Sequence, residues 1–435
     1  MKRMYTKDVP RKAGEKVKVA GWVRSIRDLG RLKFIILADR EGKIQITARK
    51  EECDETLMDI LDHLTKESVI VVEGRIELNK QAPGGREILP EKVTLLSKAE
   101  RIPLDVTGRT KADLSTRLDQ RVLDLRRPEN LAIFKIQSKL VEGMERWLDS
   151  NGYLKTFTPC IMANASEGGA EVFPVIYYER EAFLRQDPQL HRQLLMAAGF
   201  EKIYDLGPSW RAEKSHTIRH LSEHRGCAVE LSFIKDETDT MRVEEEIVIS
   251  AIKAVKKECK EELELLGKDV KVPKKPFPEL RFPKVYDILK KLGKEVEYGG
   301  DIDRESETLL WKYVQKKYKS DFFFLNRFPF DIKPFYVMRV DEEPQWARSV
   351  DLVFKGIELS SGGQREHRYE KIIHQAKAKN LNLENLKWFT EHFRYGAPPH
   401  GGFNLGIERL TMQLLDIPNI REAVLFPRTP ERLLP

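Results

Sequence analysis

Over the first hundred residues apolar and polar positions alternate in short runs. Residues 17–23 alternate like a half-buried strand, and the runs 33–37 and 43–47 read as two more strands. Asp39, Arg40, Glu41 and Gly42 supply turn chemistry between the second run and the third. Residues 56–64 switch to helical spacing, and 68–74 and 91–96 return to strands. Five strands around one helix predict a small β-barrel over residues 1–100.

Further along, the periods change. Residues 101–128 read as a hinge: a turn-rich start, then a helical stretch with apolar positions at 118, 122 and 125. Residues 130–149 predict a long amphipathic helix, with Gly152 as its stop. An apolar run ending at Ile203 and Tyr204, and another over 227–231, predict two antiparallel strands joined by a long cationic loop. Residues 321–325 and 334–338 read as buried strands and 351–358 as an alternating one. Residues 400–409 read as a Gly-rich turn opening an apolar helix over 410–415. Residues 250–330, inside a large second domain over 129–435, look like an insertion: a charged helix over 252–266, then a proline-rich connector.

A chain of 435 residues accommodates two or three domains. No run of 18 apolar residues occurs, so no membrane span is expected. The first residues carry no apolar run of the secretory kind. Cys53, Cys160, Cys227 and Cys259 are too scattered for a disulfide framework or a thiolate metal site. Reduced thiols and a cytoplasmic location are the expectation. The net charge of +7 is unevenly placed, because the first fifty residues hold fifteen Lys and Arg against five Asp and Glu. A basic barrel of this kind is expected to be an OB-fold that binds nucleic acid, although the same charges also suit a solvated face. Phe34 and Gln45 sit on its candidate binding strands, with Arg27 just upstream and Glu87 before the last strand. An exposed aromatic can stack a base and an amide can read its edge; Phe34 would equally suit the core.

The chemistry concentrates in three places. Arg211 and Glu213 open the cationic loop, which also holds His220 and His224. Gly406, Glu408 and Arg409 stand where the apolar helix begins. Asp351, Glu358 and Ser361 offer two carboxylates and a hydroxyl, a hard oxygen set suited to Mg²⁺. Asp351 and Glu358 lie seven residues apart and need not share a strand face; a turn at Gly356 would realign them.

Arg-x-Glu at 211–213, followed far downstream by Gly-x-Glu-Arg at 406–409, resembles motifs 2 and 3 of the class II aminoacyl-tRNA synthetases. The run IELSSGGQREHR at 357–368, with Gly21-Trp22-Val23 and Phe34, resembles the archaeal and eukaryotic-type aspartyl and asparaginyl members. The resemblance implies an α+β chain, with an OB-fold anticodon-binding domain followed by a catalytic domain on an antiparallel sheet flanked by helices. It implies ATP and Mg²⁺, with Arg211 and Arg409 as catalytic cations on the phosphates. Glu213, His220, His224, Glu358 and Gly406 would border the nucleotide. Glu167, Gln189, Arg192, Ser361 and Arg365 would hold the amino acid. Arg27, Phe34, Gln45 and Glu87 would read the anticodon. The helix over 130–149 and the proline after it resemble motif 1, which implies a homodimer.

The implied reaction activates aspartate with ATP and transfers it to the 3′ end of tRNA. Three positions depart from the family's aspartate pocket. A lysine is replaced by Arg192, its aspartate partner by Ala228, and a serine by Asp187. A cation at 192 without an aspartate at 228 is expected to remain unneutralised, which favours a substrate carboxylate. Asparaginyl activity, or a diverged paralogue that makes another product such as asparagine, is the second reading. A synthetase-like RNA-binding protein with a dead site is the third.

Overall fold

The computed structural model describes residues 1–108, 110–163, 171–214 and 217–434. They fall into two compact units, Met1–Arg127 and Pro128–Pro435.

The first unit is a closed barrel of β1 (Lys16–Asp28), β2 (Leu32–Ala38), β3 (Lys43–Arg49), β4 (Val69–Leu78) and β5 (Arg86–Ser97), in the order β1-β2-β3-β5-β4. Alternation decides which side chains go inside. Along β2, Ile35 and Leu37 are buried while Phe34 and Ile36 stay half-buried on the outer face. The helix Glu55–Asp62 starts where the Asp54 carboxylate accepts from Leu57 N at 2.7 Å. The expected helix in the hinge is two short ones, Leu114–Asp119 and Arg121–Asp124, interrupted at Gln120. Arg127 donates to Asp105 O at 2.8 Å and Arg126 pairs with Glu67 at 3.0 Å, so this segment packs within the first unit.

The second unit adds β6 (Leu154–Lys155), β7 (Ile161–Met162), β8 (Pro174–Tyr177), β9 (Arg180–Leu184), β10 (Lys202–Trp210), β11 (Glu223–Ser232), β12 (Glu279–Arg281), β13 (Phe322–Asn326), β14 (Ser349–Phe354), β15 (Ile357–Arg365) and β16 (His400–Gly406). Eight of them form one sheet, β12-β13-β14-β15-β16-β11-β10-β6, antiparallel except at the two end pairs. β7, β9 and β8 make a separate small sheet. One face of the large sheet packs on the helices Pro128–Ser150 and Glu237–Glu258 through Cys227, Val229, Leu231, Phe403 and Leu405. The two helices approach closely at Gly143, where a Cβ would lie 2.7 Å from Ala251 Cα. With a period of two, every second residue of the same strands faces the opposite way.

Three sequence expectations change here. The Gly-rich stretch at 400–406 is not a turn but a central strand, and the helix behind it is Ile407–Leu414. A Cβ at Gly402 would lie 2.0 Å from Val229 O, so glycine permits a close pairing rather than a bend. Residues 334–338 form a buried turn instead of a strand, holding one isolated bridge from Val337 to Arg365. The helix expected over 252–266 begins much earlier, as Glu237–Glu258, and breaks at Cys259. The stretch over 250–330 contributes β12 and β13 to the main sheet.

Candidate active site

The free face of the large sheet is floored by small residues. Gly226, Ala228 and Glu230 of β11 stand opposite Gly406, Asn404 and Gly402 of β16. Asn404 in turn pairs with Ser361 of β15, and Ser361 with Asp351 of β14. Glycine, alanine and serine keep this floor low, and a cavity of about 250 Å³ opens above it. Asn404 is bulkier than its glycine, alanine and serine neighbours, and its Oδ1 is buried without a protein partner among the described residues.

At the outer end of the cavity stand Arg211, Glu213, His220, His224 and Arg409. β10 ends at Trp210, so Arg211 leaves the sheet with its side chain 54% exposed and donates to Glu213 at 3.2 Å. The Glu213 carboxylate also lies 3.6 Å from His220. Arg409 projects from the first turn of the helix Ile407–Leu414 and donates to Glu358 O at 2.9 Å and to its carboxylate at 3.2 Å. Burial pushes His224 down to about 4, with Arg211 and Arg409 adding to the effect. Its imidazole is therefore neutral at physiological pH and presents an uncharged ring. Burial likewise lowers His220, against the pull of Glu213.

Asp351, Glu358 and Ser361 do come to one side of the sheet. The turn at Lys355 and Gly356 closes the β14–β15 hairpin, but it does not align them. A bulge does: Leu352 pairs with Ser360 while Val353 pairs with Glu358, which leaves Leu359 as an extra residue. Glu358 and Ser361 lie three apart and would face opposite ways on a regular strand; the bulge returns both to the cavity wall. Asp351 is buried and accepts from Lys333 Nζ at 3.0 Å. Burial raises its carboxyl to about 6, opposed by Lys333 and reinforced by Glu358. Among the described residues no three His, Cys, Asp or Glu side chains converge as a metal cage. The donor set suits Mg²⁺ nonetheless, because that ion typically takes one or two carboxylates and completes its shell with water and phosphate oxygens.

The inner end is a closed ionic cluster. The helix Gln189–Ala197 places Gln189 and Arg192 one turn apart on the same side. Arg192 is fully buried and grips Asp187 with two bonds, 2.7 and 3.2 Å. A third bond runs from Arg192 Nη2 to Gln189 Oε1 at 2.6 Å. Arg365 donates to Glu230 at 3.1 Å and to the same Gln189 oxygen at 2.9 Å. Gln189 Nε2 donates back to Glu230 at 3.1 Å. The charge at 192 is thus neutralised, contrary to the expectation drawn from Ala228: Asp187 supplies the missing carboxylate. Gln189, Asp187 and Arg365 border the cavity, while Arg192 lies one layer behind it.

This arrangement matches a known family. A family model described as tRNA synthetases class II (D, K and N) matches residues 113–430, and one described as OB-fold nucleic acid binding domain matches residues 17–96. The chain is a class II aminoacyl-tRNA synthetase. It is 47% identical over 423 residues to an aspartate–tRNA(Asp) ligase of Thermococcus kodakarensis, covering 97% of each chain. It is 44% identical, over the whole of both chains, to an aspartate–tRNA(Asp/Asn) ligase of Methanopyrus kandleri. Among solved structures, asparaginyl-tRNA synthetase from Pyrococcus horikoshii complexed with asparaginyl-adenylate superposes over the full length of both chains, with a TM-score of 0.93 and 32% identity.

The synthetase's barrel gathers the other predicted residues on one outer face. Arg27 pairs with Phe34 across β1 and β2, and Phe34 with Thr47 across β2 and β3. Gln45 stands beside Glu87 across β3 and β5. The buried Glu87 carboxylate accepts from Gln45 Nε2 and from Thr47 Oγ1, both at 2.6 Å.

Of the residues singled out in the sequence, Glu167 lies outside the described ones. Lys333, Asn404 and Arg219 also line the cavity, and the sequence reading does not single them out. Lys333 sits between two prolines, with no periodicity to mark it. Asn404 is the one signal that was available, a large polar residue interrupting a run of glycines in HGGFNLG.

Proposed function

We propose that this synthetase is an aspartate–tRNA ligase. One observation carries the reading: a single cavity joins a cationic end able to grip triphosphate, at Arg211 and Arg409, to an inner end bordered by Gln189, Asp187 and an Arg365 bonded to Gln189 and Glu230. The curated relatives named above support aspartate as the amino acid. The argument from an unneutralised Arg192 no longer does, because Asp187 neutralises it; Arg365, which borders the cavity while its Nε is paired with Glu230, is left as the group that would meet a β-carboxylate. Asparagine is the second reading, favoured by the likeness to the asparaginyl enzyme.

In the proposed first step the aspartate α-carboxylate attacks the α-phosphorus of ATP in line, the bond to the bridging oxygen breaks, and pyrophosphate leaves. Arg211 and Arg409 would spread their charge over the phosphoryl oxygens as negative charge builds in the transition state. Glu358 holds Arg409 at its side chain and main chain, so the guanidinium is oriented before substrate arrives. Neutral His224 would lie against the adenine. Asp351, Glu358 and Ser361 would hold Mg²⁺, which supplies charge neutralisation between phosphates when bound. In the second step the terminal ribose hydroxyl of tRNA takes the aspartyl group and AMP leaves. The face carrying Arg27, Phe34, Gln45 and Glu87 would meet the anticodon.

A homodimer and a cytoplasmic location accompany this reading. Phe157, 85% exposed, and Leu154 near it form an apolar strip that a second copy would cover. No helix among the described residues is long and apolar enough to cross a membrane. The deciding experiment is amino-acid-dependent ATP–pyrophosphate exchange with aspartate, asparagine and glutamate, with and without Mg²⁺. Exchange with aspartate, lost on chelation, is expected. Exchange with asparagine alone would transfer the assignment to the second reading.

A further inference from the structure

We propose that Asp187 receives the α-ammonium group of the amino acid while it serves as the counter-ion that fixes Arg192 beneath Gln189. The proposal rests on the reading of the cavity as an amino-acid-activating site, and it assigns a role to a residue that departs from the family's pocket.

Among the described residues, the acceptors of the inner cluster are not equally available. An ammonium group needs oxygen atoms with spare lone pairs. Gln189 has none left, since its Oε1 already accepts from both Arg192 and Arg365. Its Nε2 can only donate. Glu230 accepts from Arg365 with one oxygen and from Gln189 with the other, lies 3.6 Å from Arg192, and is fully buried. Asp187 carries the same one bond per oxygen as Glu230 but differs in exposure and in its place at the cavity wall. Its two oxygens take one bond each from Arg192, so lone pairs remain on both. Its side chain keeps 20% exposure and borders the cavity beside Gln189 and Arg365. Burial works against its ionisation, but the Arg192 and Arg365 cations prevail and hold it below the usual carboxylate range. It is therefore charged when substrate arrives.

The same geometry explains the three departures together. Ala228 stands on the cavity face of β11, two residues from Glu230, where a carboxylate would face the cation at 192. In this chain that carboxylate has moved to 187, and the lysine has become an arginine whose planar fork fits a two-bond pair. The cluster keeps its balance, Arg192 and Arg365 against Asp187 and Glu230. A buried arginine without such a partner would be strongly destabilising, so the changes at 187, 192 and 228 form one unit.

The test compares Asp187→Ser, Asp187→Asn and the double variant Asp187→Ser with Ala228→Asp by ATP–pyrophosphate exchange. The KM for aspartate is expected to rise about 100-fold in each single variant, the loss typical of one partner of a buried charge pair. The KM for ATP should stay within about twofold, which also reports that the fold survives. The double variant should recover at least about tenfold of the loss, because a carboxylate again faces position 192. Inhibition by succinate, which has aspartate's two carboxylates and no ammonium group, should change far less than the aspartate KM. The proposal is overturned if the single variants match the wild type, if ATP and succinate are affected as strongly as aspartate, or if the double variant gains nothing. Wild-type protein that exchanges with no α-amino acid would overturn the underlying reading instead, a result distinct from active wild type with indifferent variants.

Discussion

Asn404 Oδ1 lies 1.9 Å from the point a Cβ on Gly226 would occupy. The two residues are neighbours on β16 and β11, and the carboxamide leans across the strand into the space glycine leaves. Replacing Gly226 with alanine must therefore displace the Asn404 side chain into the cavity. Overpacking of this kind costs about 1–3 kcal/mol. Gly226→Ala is expected to weaken ATP and aspartate binding, and Gly226→Ala with Asn404→Gly to recover most of the loss. Exchange kinetics on the two variants checks this; an equal defect in both would place the strain elsewhere.

Arg409 should not tolerate lysine. Its guanidinium holds the Glu358 carbonyl and carboxylate with one nitrogen, Nη1, and keeps its remaining donors for phosphate. Lysine keeps the charge and loses the fork. Arg409→Lys is expected to lower kcat by about 10²–10³, the usual effect of removing a transition-state donor, with little change in the KM for aspartate. Single-turnover adenylate formation would show whether the loss is in the chemical step.

Glu244 makes stability depend on pH. It is buried on the helix Glu237–Glu258, accepts from Ser360 Oγ, and is pushed up to about 8, chiefly by burial. Between the ordinary glutamate value and about 8, the folded protein holds a proton that the unfolded chain has released. Stability therefore falls as pH rises through that window. Glu244→Gln, which needs no proton, should melt close to the wild type at pH 4 and above it at pH 9. Melting curves across this range give the answer, and parallel curves would mean Glu244 is ionised in the folded state.

On the barrel, the Gln45 amide is held by Glu87 and cannot rotate freely. Glu87→Ala would release it. The rate of tRNA charging relative to amino-acid exchange is expected to drop about tenfold, the value of one lost base contact. Equal ratios in wild type and variant would remove this face from the anticodon assignment.

Much of this was legible in the chain, and the remainder was hidden for definite reasons. Arg211, Glu213, Arg409 and Glu358 could be found because each stands at a strand end or helix start with a short fixed spacing, and local spacing survives in sequence. The strand pattern of the barrel is readable where Ile44 and Ile46 alternate with Lys43, Gln45 and Thr47, and where the β-branched, apolar run around Ile35 and Leu37 is bounded by turn residues. His400–Gly406 reads as a turn in the sequence because glycine marks both bends and close pairings, and only the contacts of Gly402 with Val229 and Glu230 reveal which. The partner of Arg192 was missed for a similar reason. Asp187 lies five residues away across a helix start, so the pairing depends on how Pro188 turns the chain. Lys333 meets Asp351 only through the tertiary fold.

Beyond the extra residue at Leu359, the segment Ile357–Arg365 is sensitive to length in a way it is not sensitive to composition. Losing Leu359 itself would straighten the strand and still leave Glu358, Ser361 and Arg365 on one wall, the last two standing two and six residues from the first. Losing a residue beyond the bulge, between Ser361 and Arg365, would instead turn Arg365 toward the helices and bring Gln364 to the cavity. Natural deletions are therefore expected at Leu359, in the hairpin turn at Lys355 and Gly356, or beyond Glu366, while the stretch from Ser361 to Arg365 should pass through divergence with its length intact.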